Sequence, residues 1–187
     1  MKCAVQLVFS EKDQRKINDL RKMLVKNGVH DDAVPINHVS LADIEIDESQ
    51  VADVGEFLKT FSRTHEQIKL VLGFVGSFMT NENVLFLAPI MTEDLLRYNE
   101  ELLVGLKKIG IESGKYYTKN NWQPHCTLAI RLSDEELFEG FKLIKNSKVL
   151  PFEVLVDGID LLRYEPRPFK EVMSFNLQKQ KEGFLEK

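Results

Sequence analysis

The amino-acid sequence predicts an α+β protein in which helices are interspersed among antiparallel-rich strands. Segments with alternating apolar residues are separated by segments whose apolar residues recur at helical spacing. The strand–helix–strand–helix–hairpin order of the first half is partly echoed in the second. No stretch rich in Pro, Gly or Ser divides the halves, so we expect a single domain over residues 1–187, made of two similar lobes that share one groove.

The first half opens with a predicted strand over residues 3–10. A helix over residues 11–29 follows, and Ser10 with Asp13 three residues later marks its start. The remaining elements predicted in this half are a strand over 38–45, a helix from Asp47 to about His65, and a hairpin of strands 67–79 and 84–91 around a turn at 80–83.

The second half begins with a predicted helix over residues 92–109, with Thr92 as its N-cap and Gly110 after its end. A long loop over 111–124 leads into a strand over 125–132. Ser133 to Glu136 form a capping-box pattern that opens another helix. The remaining elements are one strand or two within 149–164, with a break possible at Asp157-Gly158, a last strand over 170–178, and nine polar residues as an extension.

Composition excludes several classes of protein. The chain has a net charge of -4, whereas proteins that bind long nucleic acids need a broad basic face. An RNA partner would therefore be a terminus or a small fragment. No apolar run approaches the roughly 20 residues that span a bilayer, and the first nine residues are too short and too β-like for a signal peptide. We expect a cytoplasmic monomer with no membrane partner, in which Cys3 and Cys126 are reduced, buried thiols.

Two segments about half the chain apart carry the same pattern, His38-Val39-Ser40-Leu41-Ala42 and His125-Cys126-Thr127-Leu128-Ala129. Each reads His, apolar, hydroxyl, Leu, Ala, and each lies shortly after a proline. A single His-x-Ser/Thr tripeptide is weak evidence, but two of the four histidines match here, and Leu-Ala follows both. The paired pattern therefore indicates a duplicated functional element.

Strand alternation gives this pattern a chemical meaning. Side chains two positions apart share a face, so each histidine shares a face with its hydroxyl residue and each is followed there by its alanine. Two such strands across a groove would present two imidazoles and two hydroxyls to one phosphodiester. One imidazole can take a proton from water or a ribose hydroxyl, and the other can protonate the departing oxygen. Ser40 and Thr127 would donate hydrogen bonds to the non-bridging phosphate oxygens.

A metal centre is not expected from these residues. By the same alternation, Asp43 and Glu45 lie on the opposite face of their strand from His38. No third His, Cys or carboxylate shares the spacing of the two histidines, so the scheme requires neither metal nor cofactor.

The loop before the second motif supplies candidate substrate contacts. A base could stack on Tyr116, Tyr117 or Trp122, although these aromatic side chains could equally fold onto the core. Arg131 falls on the face of His125 by alternation and could approach a phosphate, or it could be a solvated strand end.

These residues resemble the two-histidine (2H) phosphoesterases, which include LigT-like 2′-5′ RNA ligases and cyclic nucleotide phosphodiesterases. The resemblance spans roughly residues 3–178. It is carried by His38–Leu41, by Trp122–Ala129, by the hairpin segments Leu72–Phe78 and Val84–Phe86, and by Phe152–Val154 with Ile159–Arg163.

The resemblance implies a bilobal, pseudo-two-fold LigT-like fold, with two antiparallel-rich sheets flanking a central groove and helices on the outside. It also implies metal-free chemistry on 2′,3′-cyclic phosphates or 2′-5′ linkages, with His38 as proton donor and His125 as proton acceptor. Ser40 stands where threonine is commoner in the family, which keeps the hydroxyl and loses a methyl group.

We therefore expect an enzyme that hydrolyses 2′,3′-cyclic phosphate termini or nucleotides to 2′-phosphates. Cleavage or ligation of 2′-5′ bonds is an alternative that the same groove could serve. A non-catalytic protein that binds RNA ends or nucleotides is a second alternative.

Overall fold

The computed structural model describes residues 1–33, 35–165 and 169–180. Its elements, in chain order, are β1 (Lys2–Phe9), α1 (Glu11–Lys26), β2 (His38–Glu45), α2 (Val51–Thr64), β3 (Ile68–Phe78), β4 (Val84–Pro89), α3 (Glu93–Lys108), a 3₁₀ turn (Lys115–Tyr117), β5 (Cys126–Ala129), α4 (Asp134–Ser147), β6 (Phe152–Glu165) and β7 (Lys170–Asn176). This mixture confirms the α+β class. The predicted polar extension lies, from residue 181 on, outside the described residues.

The strands form one antiparallel sheet in the order β2-β1-β6-β3-β4-β5, with β7 also paired to β6. Two sheets were expected, and the length of β6 explains the difference. This strand runs unbroken for 14 residues, pairing with β3 through Phe152–Val156 and with β1 from Val156 onward. It therefore joins the strands of the two motifs into one hydrogen-bonded ladder, and residues 149–164 hold one strand rather than two.

The helix boundaries follow local capping chemistry. The side chains of Ser10, Thr92 and Ser133 each accept a hydrogen bond from a backbone N–H of the first turn, as predicted, and Ser133 forms the full capping box with Glu136. The first helix ends at Lys26, because Gly28 adopts a left-handed φ of 87° that an α-helix cannot continue through.

Helix α2 packs on one face of the strands β1, β6 and β7. Val5 pairs with Leu161 and Leu161 with Met173, and the sulfur of Met173 lies 2.9 Å from where a Cβ on Gly55 of α2 would stand. Val5 and Leu161 are fully buried on this face. The opposite face is the one to which the first motif belongs, since Ser40 pairs with Gln6, the neighbour of Val5 in β1. No helix among the described residues is both long and apolar enough to cross a membrane.

Candidate active site

The two motif histidines are held by the same hydrogen bond. His38 is the first residue of β2, and its Nδ1 lies 2.7 Å from the carbonyl oxygen of Ile36. His125 immediately precedes β5, and its Nδ1 lies 2.8 Å from the carbonyl oxygen of Gln123. A carbonyl only accepts, so in each neutral ring Nδ1 carries the proton and Nε2 is left for a ligand. The motifs are therefore duplicated in ring orientation as well as in sequence.

Both motifs also contain a β-bulge at their leucine. In β2, Ser40 pairs with Gln6 and Ala42 with Val5, so Leu41 has no partner. In β5, Thr127 pairs with Phe86 and Ala129 with Leu85, so Leu128 has none. An inserted residue shifts the alternation by one position.

This shift corrects two expectations. Ala42 and Ala129 turn toward the core, where they are 0% and 1% exposed, instead of lining the groove. Asp43 and Glu45 turn to the face of Ser40, since they pair with Ala4 and Lys2, which share a face of β1 with Gln6. The carboxylate of Asp43 accepts a hydrogen bond from the phenol of Tyr164.

The two motifs lie side by side although they are distant in sequence. The backbone N–H of His38 donates to the sulfur of Cys126, and the indole N–H of Trp122 donates to the carbonyl oxygen of Ser40 over 3.0 Å. The charge of a protonated His125 also lowers the pKa of His38, so the rings are within electrostatic range of each other. Both histidines are half-buried, which leaves each ring partly accessible.

Burial keeps both imidazoles neutral in the free protein. It lowers the pKa of His38 to about 4, helped by the charges of His125 and Arg21 and opposed by the hydrogen bond to Ile36. Burial likewise lowers the pKa of His125, against the opposing hydrogen bond to Gln123. A bound anion would favour the charged form of either ring.

The two hydroxyl residues, Ser40 and Thr127, are half-buried on the same strands as the histidines. The hydroxyl of Ser40 hydrogen-bonds to the phenol of Tyr117, which opposes the rise that burial causes in the pKa of Tyr117. Tyr117 therefore stands beside the first motif. Its neighbour Tyr116 is 69% exposed, with the Nζ of Lys115 at 4.9 Å from its ring centroid.

The structure gives Trp122 and Arg131 other surroundings than those expected of substrate contacts. Trp122 is only 8% exposed and uses its indole N–H to hold β2, so it offers no free face for a base. Arg131 lies beyond the end of β5, with a φ of 60° that takes it out of the strand alternation. Its guanidinium forms an ion pair with Asp32.

Three neighbours of the histidines were not among the predicted site residues. The rings of Phe78 and Phe86 flank His125, with centroids 4.8 Å and 5.3 Å from that of the imidazole. In the sequence, Phe78 and Phe86 are apolar residues of the predicted hairpin, and nothing in the pattern indicates a contact with His125. Arg21 lies near His38 and is held by Asp31, with Nη2 to Oδ1 at 2.8 Å. In the sequence, Arg21 is one of several charged residues of the first predicted helix, and nothing in the pattern distinguishes it from the others.

Both cysteines are buried free thiols, as predicted, and burial raises the pKa of Cys126 to about 12. Within the described part of the chain, no group of three or more His, Cys, Asp or Glu side chains is placed to hold a metal ion.

The fold and the duplicated His–hydroxyl site define a two-histidine phosphoesterase, as the sequence resemblance implied. A comparison with protein families agrees: the chain belongs to the 2′-5′ RNA ligase superfamily, whose family model matches residues 9–168.

Relatives and solved structures support the same assignment. A Bacillus cytotoxicus protein named "Putative phosphoesterase" is 30% identical over 136 residues, which is 73% of each chain. The crystal structure of TT0787 from Thermus thermophilus superposes with a TM-score of 0.69 at 18% identity, covering 97% of this chain and 100% of the other. Escherichia coli LigT superposes with a TM-score of 0.65 at 14% identity, covering 95% and 98%. The LigT-like fold is thus confirmed.

Proposed function

We propose that this protein hydrolyses nucleoside or RNA-terminal 2′,3′-cyclic phosphates and leaves the phosphate on the 2′ oxygen. The observation that carries the proposal is the duplicated site, in which two imidazoles with equivalent Nδ1 hydrogen bonds lie within electrostatic range of each other. Each has a hydroxyl residue two positions later. Such a pair can handle both protons of a phosphodiester hydrolysis.

In the proposed step, the Nε2 of His125 takes a proton from water as the water oxygen bonds to phosphorus. The bond between phosphorus and the 3′ oxygen breaks, and the Nε2 of His38 gives that oxygen a proton. The hydroxyls of Ser40 and Thr127 donate to the non-bridging oxygens, where charge develops. The assignment of acid and base follows the family resemblance. It requires the phosphate to raise the pKa of His38, which burial lowers in the free protein.

The solved structures of Escherichia coli LigT are in keeping with a phosphate ligand, since they include complexes with 3′-AMP and with phosphate. A second candidate function is cleavage or ligation of a 2′-5′ linkage, which the superfamily's own description favours. Both reactions pass the same phosphodiester between the same two imidazoles, so products must distinguish them.

The deciding experiment is a product-resolved assay in EDTA with 2′,3′-cyclic AMP, 2′-5′ ApA and 3′-5′ ApA. We expect 2′-AMP from the cyclic substrate, and losses of about 10²-fold or more in His38→Ala and in His125→Ala. His30→Ala, which removes an exposed histidine outside both motifs, is the matched control. Full turnover in either motif variant would overturn the mechanism, and tight binding without any product would indicate a binding protein.

The acid and the base can be separated with an activated substrate. A 4-nitrophenyl phosphodiester has a leaving group that departs without a proton, so it should restore most of the rate to the variant that lacks the acid. We expect rescue in His38→Ala and none in His125→Ala. The reverse pattern would exchange the two roles.

A further inference from the structure

A row of polar side chains crosses the sheet from the first motif. Ser40 of β2 pairs with Gln6 of β1, Gln6 pairs with Asp160 of β6, and Asp160 pairs with Ser174 of β7. Directly paired residues of antiparallel strands project to the same face, with Cβ atoms about 5 Å apart. Helix α2 packs on the opposite face of these strands, so the row lies on the face of the motif and begins at a hydroxyl of the site.

The two central members of the row are buried with unused hydrogen-bonding capacity. Gln6 is 0% exposed, and neither its Nε2 nor its Oε1 has a hydrogen-bond partner among the described residues. Asp160 is 3% exposed, and its Oδ1 likewise has none. Protein interiors satisfy nearly all such groups, because each unsatisfied one costs free energy. Their retention side by side next to a binding residue points to a ligand.

The second motif has no such row. There Thr127 pairs with Phe86, and Phe86 pairs with Gly76. The positions equivalent to Gln6 and Asp160 therefore carry an aromatic ring and no side chain at all. Both halves of the proposed site therefore carry a histidine and a hydroxyl for the phosphate, but only the strands beside the first motif offer further hydrogen-bonding side chains. This asymmetry suits a phosphoester whose organic part has its polar group on one side.

We infer that Gln6 and Asp160 form a subsite for the 3′ hydroxyl that hydrolysis frees on the 2′-phosphate product bound between His38 and His125, an inference that rests on the proposed function. A hydroxyl both accepts and donates, so it can accept from Nε2 of Gln6 and donate to Oδ1 of Asp160. Ser174, at one end of the row, is exposed to solvent, and Ser40, at the other end, is half-buried. The hydroxyl of the ligand supplies the hydrogen bonds that Gln6 and Asp160 lack between these ends.

The test compares three probes by calorimetry: inorganic phosphate, adenosine 2′-monophosphate and 3′-deoxyadenosine 2′-monophosphate. Gln6→Met keeps the length of the side chain and removes its hydrogen bonds. We expect this variant to bind adenosine 2′-monophosphate about tenfold more weakly, the loss of about one hydrogen bond, and to bind the other two probes as the wild type does. Asp160→Leu, which keeps the approximate shape of the side chain and removes its hydrogen-bonding atoms, should show the same selectivity if Gln6→Met fails to fold. Gln178→Met, at an exposed position, is the matched control.

The inference is judged by the ratio of the wild-type affinity to the variant affinity, compared among the three probes. If Gln6→Met and Asp160→Leu weaken binding of all three probes equally, or of none of them, the subsite is overturned while the proposed function stands. If the wild type binds adenosine 2′-monophosphate but hydrolyses no cyclic phosphate, the proposed function is overturned and the ratio still judges the subsite. A wild type that binds none of the probes overturns the subsite, and the hydrolysis assay alone then judges the proposed function.

Discussion

The indole N–H of Trp122 donates to the carbonyl oxygen of Ser40, which ties the segment before the second motif to the strand of the first. This hydrogen bond spans residues that are far apart in the chain and ends on a residue of the proposed phosphate site. Trp122 therefore positions the strand of the first motif. We expect its substitution to lower the stability of the fold more than it lowers the affinity for substrate.

Replacing Trp122 with Phe should lower the free energy of unfolding by about 1–3 kcal/mol. The substitution leaves the carbonyl of Ser40 without its donor and leaves a small gap in the core. Urea denaturation followed by far-UV circular dichroism measures the change. Tyr116→Phe, at the neighbouring exposed ring, should change it by less than about 0.5 kcal/mol. An unchanged urea midpoint in Trp122→Phe would show that the hydrogen bond does not contribute to stability.

Much of this fold could be predicted because its signals are local. Apolar periodicity located the helices and strands, and the side chains of Ser10, Thr92 and Ser133 marked helix starts through contacts within one turn. The pairing of β6 with both β1 and β3 could not be predicted, since strand partners depend on contacts between distant residues.

The site shows the same limit. Its histidines and hydroxyls were found because the motif occurs twice, which needs no knowledge of the fold. The bulges at Leu41 and Leu128 leave no trace in the alternation, because the residue after each leucine is a small apolar one that either face accepts. The roles of Gln6 and Asp160 depend on register across three strands, which no local pattern reports.

Gly76 makes room for a ring that contacts the site. A Cβ at this position would lie 2.6 Å from Phe86, whose ring is buried and flanks His125. Gly76→Ala should therefore displace Phe86, lower stability by about 1–3 kcal/mol and reduce turnover of cyclic phosphate.

Gly73→Ala on the same strand is the control, because the side chain that it would meet, Ile90, is 45% exposed and can move aside. Thermal unfolding and initial rates of both variants test the difference. Equal effects at the two glycines would argue that the close contact with Phe86 has no special consequence.

The protonation of His38 should respond to phosphate. Burial lowers its pKa to about 4, so the ring is neutral at pH 7 in the free protein. An anion between the two imidazoles stabilises the charged ring and should raise this pKa. Ring-proton NMR from pH 3.5 to 8, with and without inorganic phosphate, measures the titration, and His38→Asn assigns the signal. A midpoint that phosphate leaves in place would contradict a site shared by the two rings.

Asp160 should make the wild type less stable as the pH rises. Burial raises its pKa from 3.8 to about 6, against an opposing hydrogen bond to Ser174, so the folded protein favours the protonated form. The stabilisation is complete below pH 3.8 and is lost as the pH rises through 6, at a cost of about 2–3 kcal/mol. Asp160→Asn cannot ionise, so its stability relative to the wild type should increase by that amount between pH 4 and pH 7.

Urea denaturation at several pH values measures this difference, and taking it between variant and wild type cancels the contribution of His38. The contribution of His38 has the opposite sign. Because the pKa of this histidine is lowered in the folded protein, the protein loses stability as the pH falls from 6.5 toward 4. Asp19→Asn, on the exposed face of α1, controls for removing a carboxylate from the surface. If the difference in the free energy of unfolding between Asp160→Asn and the wild type does not change with pH, then Asp160 ionises in the folded protein at no cost. The buried carboxyl would then already be paired with a positively charged or hydrogen-bonding group, which contradicts its assignment to a ligand.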